Sequence, residues 1–433
     1  MNFQTAFAKS GRPFWYAYLQ AQGGEKSFDQ LVKTAASKLI NEPAVAPDQW
    51  KPDINASIAI AASRLSLQFL PSSELATSLV RDHLCTCVYV SEQLDTTIAE
   101  YVSEPILALS ANSLMIQSEY DFSWQEILPL LIDQIKGGYI VEKSYNGELL
   151  ARILLSMAWD ECCLKESSVF ESIRPVSLQT FLTKLGGAKL VDEMKQGNIS
   201  DANLERLLDG YVFFTHFLSV TYSVKEQDLR ACFARSAAMI IKRGEMAIDL
   251  VIPVLLKDDS MSYISVQVKN YLDERRSALN LALRNGKLNE MHDSPYIAIL
   301  MNLNESRDIM SECADQTTSI SKVVTAAPVE QSESFQARKK LNLAGGSTST
   351  AQSQQPSMIS KTGLGALVVL NGLTDESYPF LSKKADELKK SLAEVSTCPS
   401  DPIMDGNQSE PFDSEFAFQS WFPVKHDCGG NKN

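Results

Sequence analysis

Asp249 is the lone charge in the apolar run Ala247-Ile-Asp-Leu-Val-Ile252, and Gln267 and Lys269 stand two residues apart in Ser262-Tyr-Ile-Ser-Val-Gln-Val-Lys269. A carboxylate in such a run is costly to desolvate unless a cation or metal pairs with it. In an extended segment alternate side chains share a face. Ile264, Val266 and Val268 are therefore expected on one side, and Ser265, Gln267 and Lys269 on the other. A hairpin with a short turn sets Asp249 beside these residues. Oxygen ligands on one side and a cation near the attacking water are what magnesium-assisted hydrolysis of a phosphodiester requires. In this reading Asp249 is the main carboxylate ligand of Mg2+, or of Mn2+, and the side-chain oxygen of Gln267 is a neutral ligand. Lys269 orients the water and steadies the transition-state charge. Glu148 adds a further carboxylate if its helix packs over the sheet.

Taken singly, each residue has a plainer reading. Asp249 reads as a strand-end aspartate held by a backbone or basic partner. Lys269 reads as an edge lysine that guards against strand pairing, and Glu148 as a first-turn glutamate that complements the helix dipole. Only the ordered combination lifts the set above these. Arg230, Arg235, Lys242 and Arg243 are a weak candidate lining for a phosphate channel, against the commoner fate of solvated surface. His216, in an aromatic run, reads as a packing histidine. No GxSxG, HExxH or Rossmann glycine pattern occurs.

The elements that position these residues are legible in periodicity. Phe28, Leu31, Val32, Ala35 and Leu39, and later Ile127, Leu128, Leu131 and Ile132, fall at helical spacing, so residues 1–135 are expected to form a helical N-terminal region. Glu148 to Trp159 predicts a buried helix, and further helices are expected near Leu178 to Lys184 and Asn203 to Leu208. Val212 to Tyr222, rich in aromatic and β-branched residues, predicts a strand or a helix-to-strand passage. Lys225 to Arg235 returns to helix. Three apolar runs follow at 237–241, 247–256 and 262–269, joined by Lys242-Arg-Gly-Glu245 and Lys257-Asp-Asp-Ser260, and predict an antiparallel meander. A helix over Tyr271 to Leu283 and a strand over Tyr296 to Met301 complete a core over residues 136–305. The Ser-, Gln- and Gly-rich residues 306–361 predict a flexible insert. Residues 362–395 are expected to add a strand (Ala366 to Leu370) and a helix (Tyr378 to Val395), and 396–433 to form a disordered acidic tail.

Composition narrows the function classes. At 433 residues, with 44% hydrophobic and 21% charged side chains, the chain has the make-up of an ordinary soluble protein, and no stretch approaches a bilayer span. The N-terminus lacks a secretory pattern, so an intracellular location, nucleus or cytoplasm, is expected. Eight cysteines are too sparse for a disulfide framework. Cys85-Thr-Cys87, Cys162-Cys163 and His426-Asp-Cys428 lack zinc spacing. A net charge of −13 argues against coating nucleic acid by a general field, yet residues 225–287 hold 11 Lys or Arg against 8 Asp or Glu, an excess consistent with a local basic cleft.

The set Glu148, Asp249 and Gln267-Val-Lys269 resembles the PD-(D/E)xK, or restriction-endonuclease-like, superfamily in its QxK form, and is similar to Mrr-type restriction enzymes. The resemblance implies an α/β (α+β) fold with an αβββαβ core, magnesium bound at the matched positions, and hydrolysis of DNA or RNA. Ile248 replaces the proline of the motif's name, and Gln267 replaces a carboxylate, which lowers the negative charge offered to a metal. The phrases Gly147-Glu-Leu-Leu-Ala-Arg152, Ile248-Asp-Leu-Val-Ile-Pro253 and Val266-Gln-Val-Lys-Asn270 resemble fungal proteins related to Crinkler-type effectors, which couple a P-loop ATPase to a nuclease-like domain. No GxxxxGK[ST] occurs here, so a C-terminal remainder of such an architecture is expected, with Gly11-Arg-Pro-Phe-Trp15 near the junction.

Two functions are thus expected in competition: a magnesium-dependent nuclease, and a catalytically inactive nuclease-like fold that serves as an interaction or nucleic-acid-binding module, or survives as a relic fragment. The helical N-terminal region is the expected surface for a protein partner.

Overall fold

The computed structural model describes residues 3–42, 51–116, 122–141, 146–163, 173–196, 199–241, 248–269, 294–303, 364–384 and 386–398. The turn at Lys242–Glu245, the helix over Tyr271–Leu283, the insert at 306–361 and the tail beyond 398 lie outside these residues.

The chain opens with α1 (Phe3–Lys9), α2 (Pro13–Ala21), a 3-10 turn and α3 (Phe28–Leu39). Phe28, Leu31, Val32, Ala35 and Leu39 are all buried, as their helical spacing requires. α4 (Ile54–Leu65) begins on Asp53, whose carboxylate accepts the N–H of Ala56 at 2.7 Å, and stops at Ser66 in the left-handed region. α5 (Glu74–Asp82) is capped in the same way by Ser73. The region is not wholly helical, because β1 (Thr86–Val90) and β2 (Thr97–Glu100) form an antiparallel hairpin. Thr86, Val88, Tyr89, Val90, Thr97 and Ile98 are β-branched or aromatic, which fits a pleated surface better than a helix.

α6 (Pro105–Ile116) is buried along its whole length, and α7 (Trp124–Lys136) starts with a capping box between Ser123 and Glu126. α8 (Asn146–Asp160) carries Glu148 in its first turn. The short strand β3 (Val176–Ser177) leads into α9 (Leu178–Gln196), which kinks at Gly187 (φ 81°), then α10 (Asp201–Leu208). The passage after Tyr211 holds two strands and no helix: β4 (Tyr211–Val212) and β5 (His216–Val220). α11 (Glu226–Ala234) precedes the meander of β6 (Ala237–Ile241), β7 (Leu250–Leu255) and β8 (Met261–Lys269). β9 (Tyr296–Asn302) and β10 (Gly365–Asn371) follow. The helix expected from Tyr378 is split into a 3-10 turn, Pro379–Lys383, and α12 (Asp386–Thr397), so the first residues assigned to the tail continue a helix and Cys398 is buried.

The fold is α+β: among the described residues twelve helices surround a curled, eight-stranded mixed sheet. β7 is its hub. One edge pairs antiparallel with β8 from Leu250↔Val266 to Leu255↔Met261. The other is divided between β6, at Leu250 and Val251, and β4, at Val254 and Leu255. β9 runs parallel to β8, and β10 parallel to β9, both in unbroken register.

The two faces of this sheet have different partners. Ile264, Val266, Ile297, Ile299, Met301, Val368 and Leu370 join one continuous core with the N-terminal helices, α8 and α9. Trp159 packs there against Phe213 and Phe214; each such fully buried side chain contributes about 1.5–3 kcal/mol. The opposite face carries Met239, Val251, Met261 and Tyr263 under Leu229 and Cys232 of α11, and a smaller cluster of Ala298, Leu300, Leu367 and Val369.

One ion pair ties α4 to α8 inside the larger core. The fully buried Arg64 pairs with Asp160 through two bonds of 2.9 and 2.7 Å, and Asn112 and Trp124 donate to the same carboxylate. These four bonds offset the cost of taking the charges out of water. No helix among the described residues is long and apolar enough to cross a membrane.

Candidate functional site

Asp249 lies one residue before β7. Its backbone N–H donates to Val266 O at 2.9 Å, although Val266 is paired with Leu250. Two residues against one is the arrangement of a β-bulge, which re-aims a side chain out of the regular alternation. The Asp249 carboxylate accordingly turns onto β8 and accepts the N–H of Val268 at 2.6 Å. Burial raises its pKa above the ordinary aspartate value. The Val268 bond and the nearby charge of Lys269 act against that rise without cancelling it.

On β8 the expected alternation holds. Ile264, Val266 and Val268 pack into the larger core, and Tyr263 faces the opposite side, which places Ser265, Gln267 and Lys269 with Tyr263. Gln267 Oε1 is buried and accepts no hydrogen bond among the described residues. A buried amide oxygen without a donor costs on the order of 1–3 kcal/mol, which an ordered water or a ligand would relieve; Asn112 Oδ1, Trp159 Nε1 and Tyr378 Oη share this state.

Glu148, in the first turn of α8, belongs to the other layer. Helix α8 packs on β8 through the larger core, against the face that Gln267 and Lys269 do not share. No hydrogen bond or ion pair among the described residues joins Glu148 to Asp249, Gln267 or Lys269, so the structure brings Asp249 to β8 and leaves Glu148 on the opposite layer. The helix is anchored by Arg152, which is fully buried and donates to Leu65 O, as well as to Glu148 O at 3.4 Å.

Side-chain oxygens such as those of Asp249 and Gln267 are of the kind a hard divalent cation such as Mg2+ takes, and Glu148 stands on the opposite layer. Among the described residues no three His, Cys, Asp or Glu side chains are grouped to hold a metal. A set of two carboxylates and one amide is poorer in charge than a group of that kind.

Of the basic residues, Lys242 and Arg243 lie outside the described residues. Arg230, on α11, pairs with Asp259 at 3.3 Å and Glu226 at 3.7 Å. Arg235 donates to the hydroxyl and carbonyl of Ser103, and burial lowers its pKa. Both arginines are thus engaged within the fold. His216 is a core residue: Ser103 lies 2.8 Å from its Nε2, and burial drives its pKa down to about 3.

Residues 48–282, more than half of the chain, match the family described as Domain of unknown function (DUF8736). The chain belongs to this family. The DUF8736 match takes in Glu148, Asp249, Gln267 and Lys269, and β9 and β10 lie beyond it. No curated protein and no solved structure matches the chain.

Proposed function

We propose that this DUF8736 protein is a metal-dependent nuclease of the restriction-endonuclease-like kind, hydrolysing phosphodiester bonds of DNA or RNA at Asp249, Gln267 and Lys269, with Glu148 assisting. The observation that carries the reading is the buried, unpartnered Gln267 Oε1, two residues from Lys269 on the strand whose Val268 N–H holds the Asp249 carboxylate. The order of elements supports it as well: a helix bearing Glu148, an antiparallel meander, then a strand parallel to the third.

Asp249, Gln267 and Glu148 would hold Mg2+ or Mn2+ through their side-chain oxygens. When bound, the ion supplies positive charge that neutralises the phosphodiester and acidifies nearby water. The Val268 N–H fixes the Asp249 carboxylate in one orientation, so its binding geometry is set before substrate arrives. Lys269, on the same face as Gln267, orients the attacking water and meets the negative charge that develops on the phosphate oxygens.

A second reading, a catalytically inactive module that binds a partner through the same fold, is favoured by one observation. Arg230 and Arg235 are spent on Asp259, Glu226 and Ser103, which leaves fewer cations for a phosphate channel. The deciding experiment is Mg2+- or Mn2+-dependent cleavage of labelled single- and double-stranded DNA and RNA by the wild type, Asp249→Asn and Lys269→Ala. Cleavage by the wild type and its loss in both folded variants supports the nuclease. Equal cleavage by all three, or none by the wild type, moves the assignment to the inactive module.

A further inference from the structure

The parallel register of β8, β9 and β10 aligns Lys269 with Asn302, and Asn302 with Asn371. All three point to the same face. On β9, Ile297, Ile299 and Met301 enter the larger core while Ala298 and Leu300 enter the opposite cluster, so Asn302 follows Leu300. On β10 the same alternation puts Asn371 with Leu367 and Val369. The row immediately behind is Gln267, Leu300 and Val369, of which the last two are buried. The carboxyl ends of three parallel strands therefore present a polar row on an apolar floor, where ligands of open α/β sheets commonly bind.

Asparagine is a poor strand former and normally earns a strand-end position by bonding its side chain to a nearby backbone group. Neither carboxamide has a hydrogen-bond partner among the described residues. The backbone of the row is nonetheless tied down: Leu303 N–H donates to Lys269 O at 2.8 Å, Gly372 N–H to Asn302 O at 2.7 Å, and the Ser377 hydroxyl to Asn371 O. Two carboxamides on a tied-down backbone, their donors uncommitted among the described residues, thus continue the line that starts at Lys269.

We infer that Asn302 and Asn371 are binding residues for one strand of nucleic acid, gripping phosphate and sugar oxygens to one side of the bond held at Lys269. The inference rests on the proposed nuclease site. Strands about 4.8 Å apart give a row about 10 Å long, close to the axial rise of roughly three nucleotides. A carboxamide N–H donates to a phosphate oxygen without adding charge, so this grip is less sensitive to salt than a lysine cluster.

The test measures binding of labelled single-stranded DNA and RNA in Ca2+, and single-turnover cleavage in Mg2+. It compares the wild type, Asn302→Ala/Asn371→Ala, and the near-isosteric Asn302→Asp/Asn371→Asp, which keeps the packing if the alanine pair fails to fold. The expected result is binding weakened about tenfold or more in the double variants, with the cleavage rate at saturating protein changed less than about threefold. Asp249→Asn separates the two claims. If it abolishes cleavage while the folded asparagine variants bind and cleave like the wild type, the inference falls and the nuclease stands. If the wild type never cleaves but the asparagine variants lose binding, the nuclease falls and the nucleic-acid row stands. A wild type that binds no oligonucleotide overturns the inference outright.

Discussion

The backbone N–H of Val268 donates to the Asp249 carboxylate at 2.6 Å, just beyond Leu250↔Val266, where the pairing of β7 with β8 ends. A side chain has taken over a backbone bond of the sheet, so the same carboxylate that would bind a cation also finishes a strand. The two roles separate by substitution. Asp249→Asn keeps an acceptor for Val268 and removes a desolvated charge, so its thermal midpoint should equal or exceed that of the wild type. Asp249→Ala strands the Val268 N–H and should lose about 1–3 kcal/mol in denaturant titrations. Both should abolish cleavage.

The raised pKa of Asp249 sets a sign for pH dependence. A carboxyl whose folded pKa lies above its unfolded value contributes stability below the unfolded pKa and loses it as pH rises through the folded pKa. Wild type and Asp249→Asn should therefore be equally stable at acid pH below the ordinary aspartate value, with the wild type falling behind above it. Parallel melts across that range check this, and a gap that widens toward acid pH would contradict it.

His216 gives the opposite slope. Its pKa is lowered from 6.5 to about 3, chiefly by burial and then by Arg235 and Arg64, so folding favours the neutral ring. Its contribution is complete above pH 6.5 and is lost as pH falls toward 3, at up to about 1.4 kcal/mol per pH unit. A His216→Gln variant should be less acid-sensitive over that interval, as read by urea midpoints at each pH.

Gln267 tests the unsatisfied oxygen. Gln267→Leu removes a buried group without a partner and should leave metal-free stability unchanged or raise it by about 1 kcal/mol. If the oxygen serves an ion, the wild type gains thermal stability on adding Mg2+ and the leucine variant does not. A Mg2+ shift of equal size in both would remove Gln267 from the ligand set.

Arg64 and Asp160 carry a prediction about stability alone. Arg64→Met leaves the Asp160 carboxylate beside Asn112 and Trp124 with no cation, and should cost about 3–5 kcal/mol. Its effect on substrate affinity, measured below the new melting midpoint, should be small.

Much of this site follows from local pattern. The alternation of Ile264, Val266 and Val268 with Ser265, Gln267 and Lys269 assigns faces on β8 before any fold is known, because side chains in a strand alternate with period two. The apolar runs over 237–241, 296–301 and 366–370 declare themselves as strands, and the spacing of Phe28 to Leu39 as a helix. The β1–β2 hairpin was hidden because it is short and lies among strongly helical segments. The split of the last helix is likewise not legible, whereas the aromatic and β-branched run after Tyr211 does signal strand, though not its division into β4 and β5.

Tertiary structure alone decided the rest. That the Asp249 carboxylate meets the Val268 N–H depends on a local irregularity at the end of β7 that periodicity does not encode. Whether Arg230 and Arg235 are idle depends on Asp259 and Ser103, the latter more than a hundred residues from Arg235. The alignment of Lys269, Asn302 and Asn371 depends on the register of strands far apart in the chain. Which side chains share a face within one strand is already written in the order of residues, since that is a property of local backbone geometry. Register, pairing and the layer on which Glu148 arrives are set by contacts between distant segments, and these exist only once the core has formed.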